Sequence, residues 1–366
     1  MSMAMQIFSE KGVEASYGLA FDEAMAQECG AVPGAASMLR LYSYRDHCVL
    51  VGRFQRIEAE VDLRQASRLG IGVNRRPTGG GAILMGSGQI GVALALPAAT
   101  FASPRAGFYL FADAVVAGLA AAGVQACLRG KNDIEVAGRK IAGLGFCVSG
   151  TGLLFHASIL EDLDLELMAA LLMVPLSKLD AHGPGGISSR ITTLMRELGG
   201  PIDSKSFAKG LIGAFEEVFD LRGIESEPPA SLLGRAARLE ADKYSTESWL
   251  FDGGRASSGE FLADCRSALG TLRLVVASQG ALIKSVLVTG DFNEAPATLI
   301  SLEESLRWTV IDGAILERRL RDNPMVEELL DAAELAEAIC TSYAALAETA
   351  GPRRTGSCYL VEEKIS

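Results

Sequence analysis

The chain has 366 residues, a net charge of −11 and 49% apolar residues. That length most simply makes two domains, and the apolar share excludes wholesale disorder. The negative charge argues against a nucleic-acid binder with a basic surface, and three His and two Trp leave little material for a His-rich metal site or a stacking platform. Met1 to Gln6 lack the basic start and apolar run of a signal peptide. Tyr17, Phe21, Ala24 and Met25 share one face at helical spacing, which predicts an amphipathic helix near 17–28. Met38 to Tyr42 and His47 to Gly52 read as two short strands around a polar turn, and Asp62 to Leu69 as a helix. Ile71 to Asn74 then leads into a glycine loop. Ile83 to Met85 and Ile90 to Leu96 read as a strand pair, with Gly86-Ser87-Gly88 as the turn. Phe108, Phe111, Ala112, Val115, Leu119 and Ala122 form an apolar helical stripe. The run Phe108 to Val124 is interrupted by Asp113 and Gly118 and is too short to span a bilayer.

Ile134 to Val136, Arg139 to Ala142 and Leu153 to Ile159 read as strands of one sheet. This mixture predicts an α/β (α+β) domain over 1–225. Glu225 to Ala230 has the composition of a linker or domain-edge turn, and the expected linker covers 226–242. A smaller α/β domain is expected over 243–366. In it, Leu272 to Ala277 and Ala281 to Val288 read as a hairpin across Ser278-Gln279-Gly280, followed by helices around 295–306, 313–322 and 325–347. The seven Cys (29, 48, 127, 147, 265, 340 and 358) show no CxxC or zinc spacing, which reads as free thiols in a reducing cytoplasm. The expectation is a cytoplasmic protein that binds neither membrane nor nucleic acid.

Two segments carry chemistry. Asn74-Arg75-Arg76-Pro77-Thr78-Gly79-Gly80-Gly81-Ala82 combines two arginine forks, which suit phosphate or carboxylate, with glycines that let backbone amides approach a ligand. It is neither a Walker A loop nor GxGxxG. On its own it also reads as a surface turn with two solvated arginines. About sixty residues on, Gly130-Lys131-Asn132-Asp133-Ile134-Glu135-Val136-Ala137-Gly138-Arg139-Lys140-Ile141-Ala142-Gly143 has Asn132 and Asp133 shaping a turn and Gly138 permitting a tight hairpin. Lys140 in a partly closed pocket could neutralise a carboxylate or acyl phosphate; alone, Gly-Arg-Lys is equally a solvated hairpin tip.

Taken in order, RRPTGGGA, GKNDIEVAGRKIAG, LLFHASIL and ISSRITTL resemble the motifs of lipoate–protein ligases, from the helix near Leu19-Ala20 to about Leu194. Glu247 to Gly253 further resembles the start of that family's accessory domain. The resemblance implies a biotin/lipoate ligase fold, related to class II aminoacyl-tRNA synthetase cores, with a smaller α/β accessory domain. It implies activation of lipoate with ATP and Mg2+ to lipoyl-AMP, then transfer to a lysine of a lipoyl domain or a glycine-cleavage H-like protein. Carried over by position, Lys140 is the catalytic residue holding the acyl-phosphate linkage. Arg75 and Arg76 are adenylate contacts, and Gly79, Gly80, Gly81 and Ala82 flank the acyl chain. Asn132 and Asp133 line the nucleotide side, with Asp133 the nearest metal-ligand candidate. His156 contacts substrate; as a residue of an apolar strand it reads equally as a satisfied core histidine.

The chain departs from the family pattern at Met85, at Ala142-Gly143-Leu144 and at Phe155-His156-Ala157, each change removing polar groups near the expected pocket. The acyl chain and the acceptor therefore stay open. Cys127 offers an enzymatic alternative: a related branch of octanoyltransferases carries a nucleophilic Cys before the same strand. A small packing residue is the other reading of Cys127. The non-enzymatic alternative is a lipoyl-binding homologue that kept the fold without turnover. Arg190 reads as a loop-structuring residue and Trp249 as a packing residue at the domain junction.

Overall fold

The computed structural model describes residues 3–31, 36–173, 189–252, 260–292 and 298–349. Gly253 and Cys358, named above, and Ile187 and Ser188 of the motif ISSRITTL lie outside them. The chain divides into two compact units, Met1–Ala256 with Thr289–Ala295, and Ser257–Val288 with Pro296–Ser366.

In chain order the first unit carries β1 (Met3–Val13), α1 (Ala15–Ala31), β2 (Ser37–Tyr44), β3 (Cys48–Val51), β4 (Gly72–Arg75), β5 (Ile83–Met85), β6 (Gln89–Pro97), α2 (Pro104–Ala121), β7 (Cys127–Arg129), β8 (Asp133–Val136), β9 (Arg139–Ser149), β10 (Gly152–Leu160), α3 (Ser204–Phe219), β11 (Leu221–Glu225) and α4 (Ala230–Leu239). Eight strands form one sheet in the order β11-β1-β2-β6-β10-β9-β8-β7, and β4-β3-β5 form a second.

The large sheet buries both faces, and strict alternation decides which residue goes where. Val92, Leu94 and Leu96 of β6 and Leu153, Phe155 and Ile159 of β10 join the core under α2 and α3. Ala93, Ala95 and Leu154 point to the opposite core, under α1. Side chains cap both outer helices: Ser103 accepts from Ala106 N ahead of α2, whose first residue is Pro104, and Asp203 accepts from Lys205 N ahead of α3.

The expected helix near 17–28 is α1, but it is not simply amphipathic: even Asp22 and Glu23 are buried. Its outer side is covered by α4 and the π-turn Glu240–Tyr244, through Leu232, Ala236 and Tyr244. That packing corrects the expected linker at 226–242, whose apolar residues recur at helical spacing. The expected β5–β6 pair also fails to form. β5 is antiparallel to β3, whereas β6 lies between β2 and β10 in the other sheet. β1 and α3 fall where no element is expected. The strands anticipated at 134–136, 139–142 and 153–159 do share one sheet, as β8, β9 and β10.

The second unit has β12 (Glu260–Ser267), β13 (Gly270–Gln279) and β14 (Leu282–Gly290, its last two residues belonging to the first unit) in that order in one sheet, so the expected hairpin across 278–280 is present. Helices follow at Thr298–Leu306, Gly313–Arg321 and Ala332–Thr349. Among the described residues no helix is long and apolar enough to cross a membrane.

Candidate active site

The glycine loop, residues 76–82, joins β4 to β5 and is fixed by backbone. Arg53 N donates to Thr78 O (2.9 Å) and Gly80 N to Phe292 O (3.1 Å). Gly290 N donates to Phe54 O (3.1 Å), and the Phe54 and Phe292 rings stack at 5.1 Å. Gly80 has φ +90°, and a Cβ on Gly52 would stand 1.9 Å from the Gly80 carbonyl oxygen. Glycines are thus required on both sides of one close backbone approach.

Arg75 and Arg76, adjacent in sequence, have opposite destinations. The fully buried Arg75 makes six hydrogen bonds to five carbonyl oxygens, those of Gly52, Arg53, Gln55, Trp249 and Leu250, with Leu250 taken by both Nε and Nη2. It does not line the cavity, and its role is to tie segments together. Trp249 answers by donating Nε1 to Arg75 O (2.9 Å), so this indole packs on β4. Arg76 is held by Leu50 O (3.0 Å), Gly79 O (2.8 Å) and Gly81 O (2.7 Å), faces the cavity, and has no carboxylate partner among the described residues. Burial pushes both guanidinium groups down to about 10, the neighbouring Arg53 charge adding to the effect on Arg75.

The lysine segment is a two-residue hairpin between β8 and β9. Ala137 (φ 48°) and Gly138 (φ 78°) both adopt left-handed backbone, as a type I′ turn demands. Lys140 N donates to Arg190 O (2.7 Å) and Lys140 O accepts from Thr192 N (2.9 Å), which fixes the lysine backbone and gives Arg190 its loop-structuring place. Lys140 Nζ lies 2.6 Å from Asp133 Oδ1, and a Cβ on Gly143 would stand 3.1 Å from Nζ. Gly143 therefore leaves room for the ammonium.

Loop and hairpin close on one cavity of about 280 Å3. Leu19, Leu50, Ile83, Leu160 and Met168 give it apolar walls, and Arg76, Asn132, Asp133, Lys140 and His156 its polar groups. Of the expected site residues, Gly81 and Ala82 also line it; Arg75, Gly79 and Gly80 do not. Met85 lines it too, with Ser158 Oγ 2.9 Å from its sulfur.

His156 is no isolated core histidine. Its Nε2 sits 2.9 Å from Asp22 Oδ2, and Asp22 Oδ1 accepts from Arg40 Nη1 at 2.8 Å. Burial pushes the Asp22 carboxyl up, but Arg40 and His156 outweigh it and hold it below the ordinary value.

Two cavity residues escape sequence reasoning. Thr78 is fully buried with its Oγ1 unbonded among the described residues, and Asp291 arrives from beyond β14. Thr78 lay inside the quoted loop motif; Asp291 has no local signal. Cys127 is exposed on β7, opposite Glu135, and does not line the cavity. No group of three His, Cys, Asp or Glu able to hold a metal occurs among the described residues.

Residues 14–216 match the family described as Lipoyl protein ligase A/B catalytic domain. A Mycoplasma pneumoniae protein named "Probable lipoate-protein ligase A" is 30% identical over 169 residues, which is 46% of this chain and 49% of that one, so the chain spans about half of that relative. The bipartite lipoate protein ligase of Thermoplasma acidophilum, described with its E2 lipoyl domain, is 26% identical with a TM-score of 0.62, covering 70% of this chain and 100% of its own. A ligase structure from the same organism with bound lipoic acid is 25% identical (TM-score 0.58; 69% and 100% covered). A lipoate-protein ligase A bound with ATP is 26% identical (TM-score 0.59; 69% and 99% covered). With more than half of its length matched to that catalytic domain, the chain belongs to the lipoyl protein ligase A/B family.

Proposed function

We propose that the chain is an ATP-dependent lipoate–protein ligase. In the first half-reaction a carboxylate oxygen of lipoate attacks the α-phosphorus of ATP. The bond to pyrophosphate breaks and lipoyl-AMP forms. In the second, the amine of an acceptor lysine attacks the acyl carbon, loses a proton, and displaces AMP.

One observation carries this reading: two cations from separate loops, Arg76 and Lys140, converge on a cavity whose walls are otherwise largely apolar. Such walls raise the strength of each charge and exclude the water that would hydrolyse a mixed anhydride. Lys140 then stabilises charge on the acyl-phosphate linkage, and Arg76, lacking a carboxylate partner, takes the phosphate. Gly81 and Ala82 flank the acyl chain, with Gly79 and Gly80 shaping the loop from outside the cavity, and Asn132 lies on the nucleotide side. Arg75 supports the loop rather than the ligand. The lipoic acid- and ATP-bound relatives support the two substrates.

Mg2+ would accompany ATP. Asp133, already paired with Lys140, is one carboxylate for it, and phosphate oxygens and water would supply the remaining ligands, the usual arrangement for this ion. The acceptor would be a lipoyl domain, as for the T. acidophilum ligase, or a glycine-cleavage H-like protein. Free thiols throughout the described residues fit a reducing, cytoplasmic setting.

The test is lipoate-dependent exchange of pyrophosphate into ATP. The wild-type chain should exchange, and Lys140→Ala should lower the rate about 10²- to 10³-fold, the scale of losing one charge-stabilising donor. Acyl transfer from a carrier thioester without exchange, abolished by Cys127→Ser, would replace this reading with the transferase.

A further inference from the structure

Aminolysis of an acyl adenylate has a requirement that neither Lys140 nor Arg76 meets. The acceptor lysine is an ammonium in water and has to give up protons to attack and to end as an amide. Both cations lining the cavity are donors only. Among the other titratable groups there, Asp133 is paired with Lys140, Asp291 interacts with Lys131, and burial pushes the Tyr42 phenol well up. His156 differs, because its Nε2 faces Asp22 Oδ2 at 2.9 Å and Nδ1 has no protein partner among the described residues.

What stands behind Nε2 is a buried charged pair, although Arg40 Nη2 has no hydrogen-bond partner among the described residues. Asp22 of α1 and Arg40 of β2 are both 0% exposed. Arg40 donates Nη1 to Asp22 Oδ1 and to Gly18 O (2.9 Å), donates Nε to Glu10 Oε2 (2.6 Å), and lies 4.4 Å from the ring centres of both Phe21 and Tyr42. A buried ion pair gains little over apolar packing of the same volume, so stability alone is a weak reason to keep this one. With Arg40 bonded to it, Asp22 is an acceptor only. The imidazole nitrogen facing it must therefore carry the proton. Strand alternation does the rest: Arg40 and His156 both point to the α1 face of the sheet, while Phe155 and Ile159 point to the other.

We propose that Asp22 and Arg40 are positioning residues that hold His156 as the Nε2–H tautomer, and that Nδ1 accepts a proton from the acceptor ammonium. The inference rests on the ligase reading. The acceptor ammonium gives its first proton to Nδ1, the freed amine nitrogen bonds to the acyl carbon as the carbon–oxygen bond to AMP breaks, and AMP leaves as the phosphate monoester while the nitrogen's second proton passes to water. The imidazolium so formed faces the Asp22 carboxylate and returns its proton to solvent. Substrate activation needs no such acceptor, so the two half-reactions should respond differently.

The experiment uses the full chain, ATP, Mg2+, lipoate and an E2 lipoyl domain, with pyrophosphate exchange and lipoyl transfer measured separately. His156→Gln keeps an amide N–H able to reach Asp22 and has no atom in place of Nδ1; Asp22→Asn removes the fixed acceptor. Both should lower transfer about 100-fold or more, the usual range for a general base, and lower exchange far less. Hydroxylamine, an amine already unprotonated at neutral pH, should restore acyl release in both. The double variant should transfer no worse than His156→Gln alone, since Asp22 acts through the ring. Two-bond proton–nitrogen spectra of the three histidines should show His156 as the Nε2–H tautomer in the wild type.

Equal losses in both half-reactions, additive losses in the double variant, or an Nδ1–H tautomer would overturn the proposal. Should Asp22→Asn not fold, His156→Gln decides alone: transfer at the wild-type rate refutes the step, and a selective loss supports it. Absence of exchange in the wild type would remove the ligase reading and this step together, whereas exchange with transfer insensitive to His156 removes this step only.

Discussion

The glycine loop and the lysine hairpin reach the same cavity by different routes. The hairpin is made mostly locally: β8, the turn at Ala137-Gly138, Lys140 and its partner Asp133 all lie within a few residues of each other, and its remote tie is the backbone of Arg190 and Thr192. The loop is made at a distance, its shape resting on Gly52, on Trp249 and Leu250 through Arg75, and on Phe292 through Gly80. A locally made site tolerates change elsewhere. A remotely held one places its vulnerable residues far from the chemistry.

The largest test of that contrast sets the two arginines against each other. Arg75→Met leaves several buried carbonyls without a donor and should cost about 3–5 kcal/mol of stability in urea unfolding, at one to three per uncompensated group. Exchange per folded molecule should survive it better than stability does. Arg76→Met should invert the balance: removing a buried cation also removes its desolvation cost, so stability should fall less while exchange drops by about 100-fold. Similar effects from both variants would erase the distinction. Next in size, Gly52→Ala drives a methyl group onto the Gly80 carbonyl and should destabilise by ~1–3 kcal/mol, with lipoate binding weakened although residue 52 does not line the cavity. Smallest is Ala137→Gly. Relief of a non-glycine residue at φ 48° is partly offset by a more flexible unfolded chain, so a gain of about 0.5 kcal/mol should appear in the same unfolding experiment, with exchange unchanged.

The same contrast explains what could be read in advance. Lys140, Asp133 and the turn are legible because turn chemistry and strand spacing act over a few residues. That the glycine loop lines a cavity is legible; which of Arg75 and Arg76 faces inward is not, because the acceptors that claim Arg75 lie 20 to 175 residues away. Asp291 is invisible for the same reason. β5 and β6 mislead because two short apolar runs around Gly-Ser-Gly look alike whether they pair with each other or enter different sheets. Asp22 and Glu23 make α1 look one-sided until α4 covers it, and composition around Pro228-Pro229 conceals that helix. His156 is intermediate: alternation with Phe155 and Ala157 puts it on the opposite face, but only the fold supplies Asp22.

The return of Thr289–Ala295 to the first unit has a genetic consequence. A stop codon after Ala256 would delete the Phe292 carbonyl that anchors Gly80 and the Phe54 ring's stacking partner, so the catalytic unit is not a prefix of its own gene. Dividing this chain into two separately encoded polypeptides would take more than one break in the reading frame, or a new tether for the glycine loop.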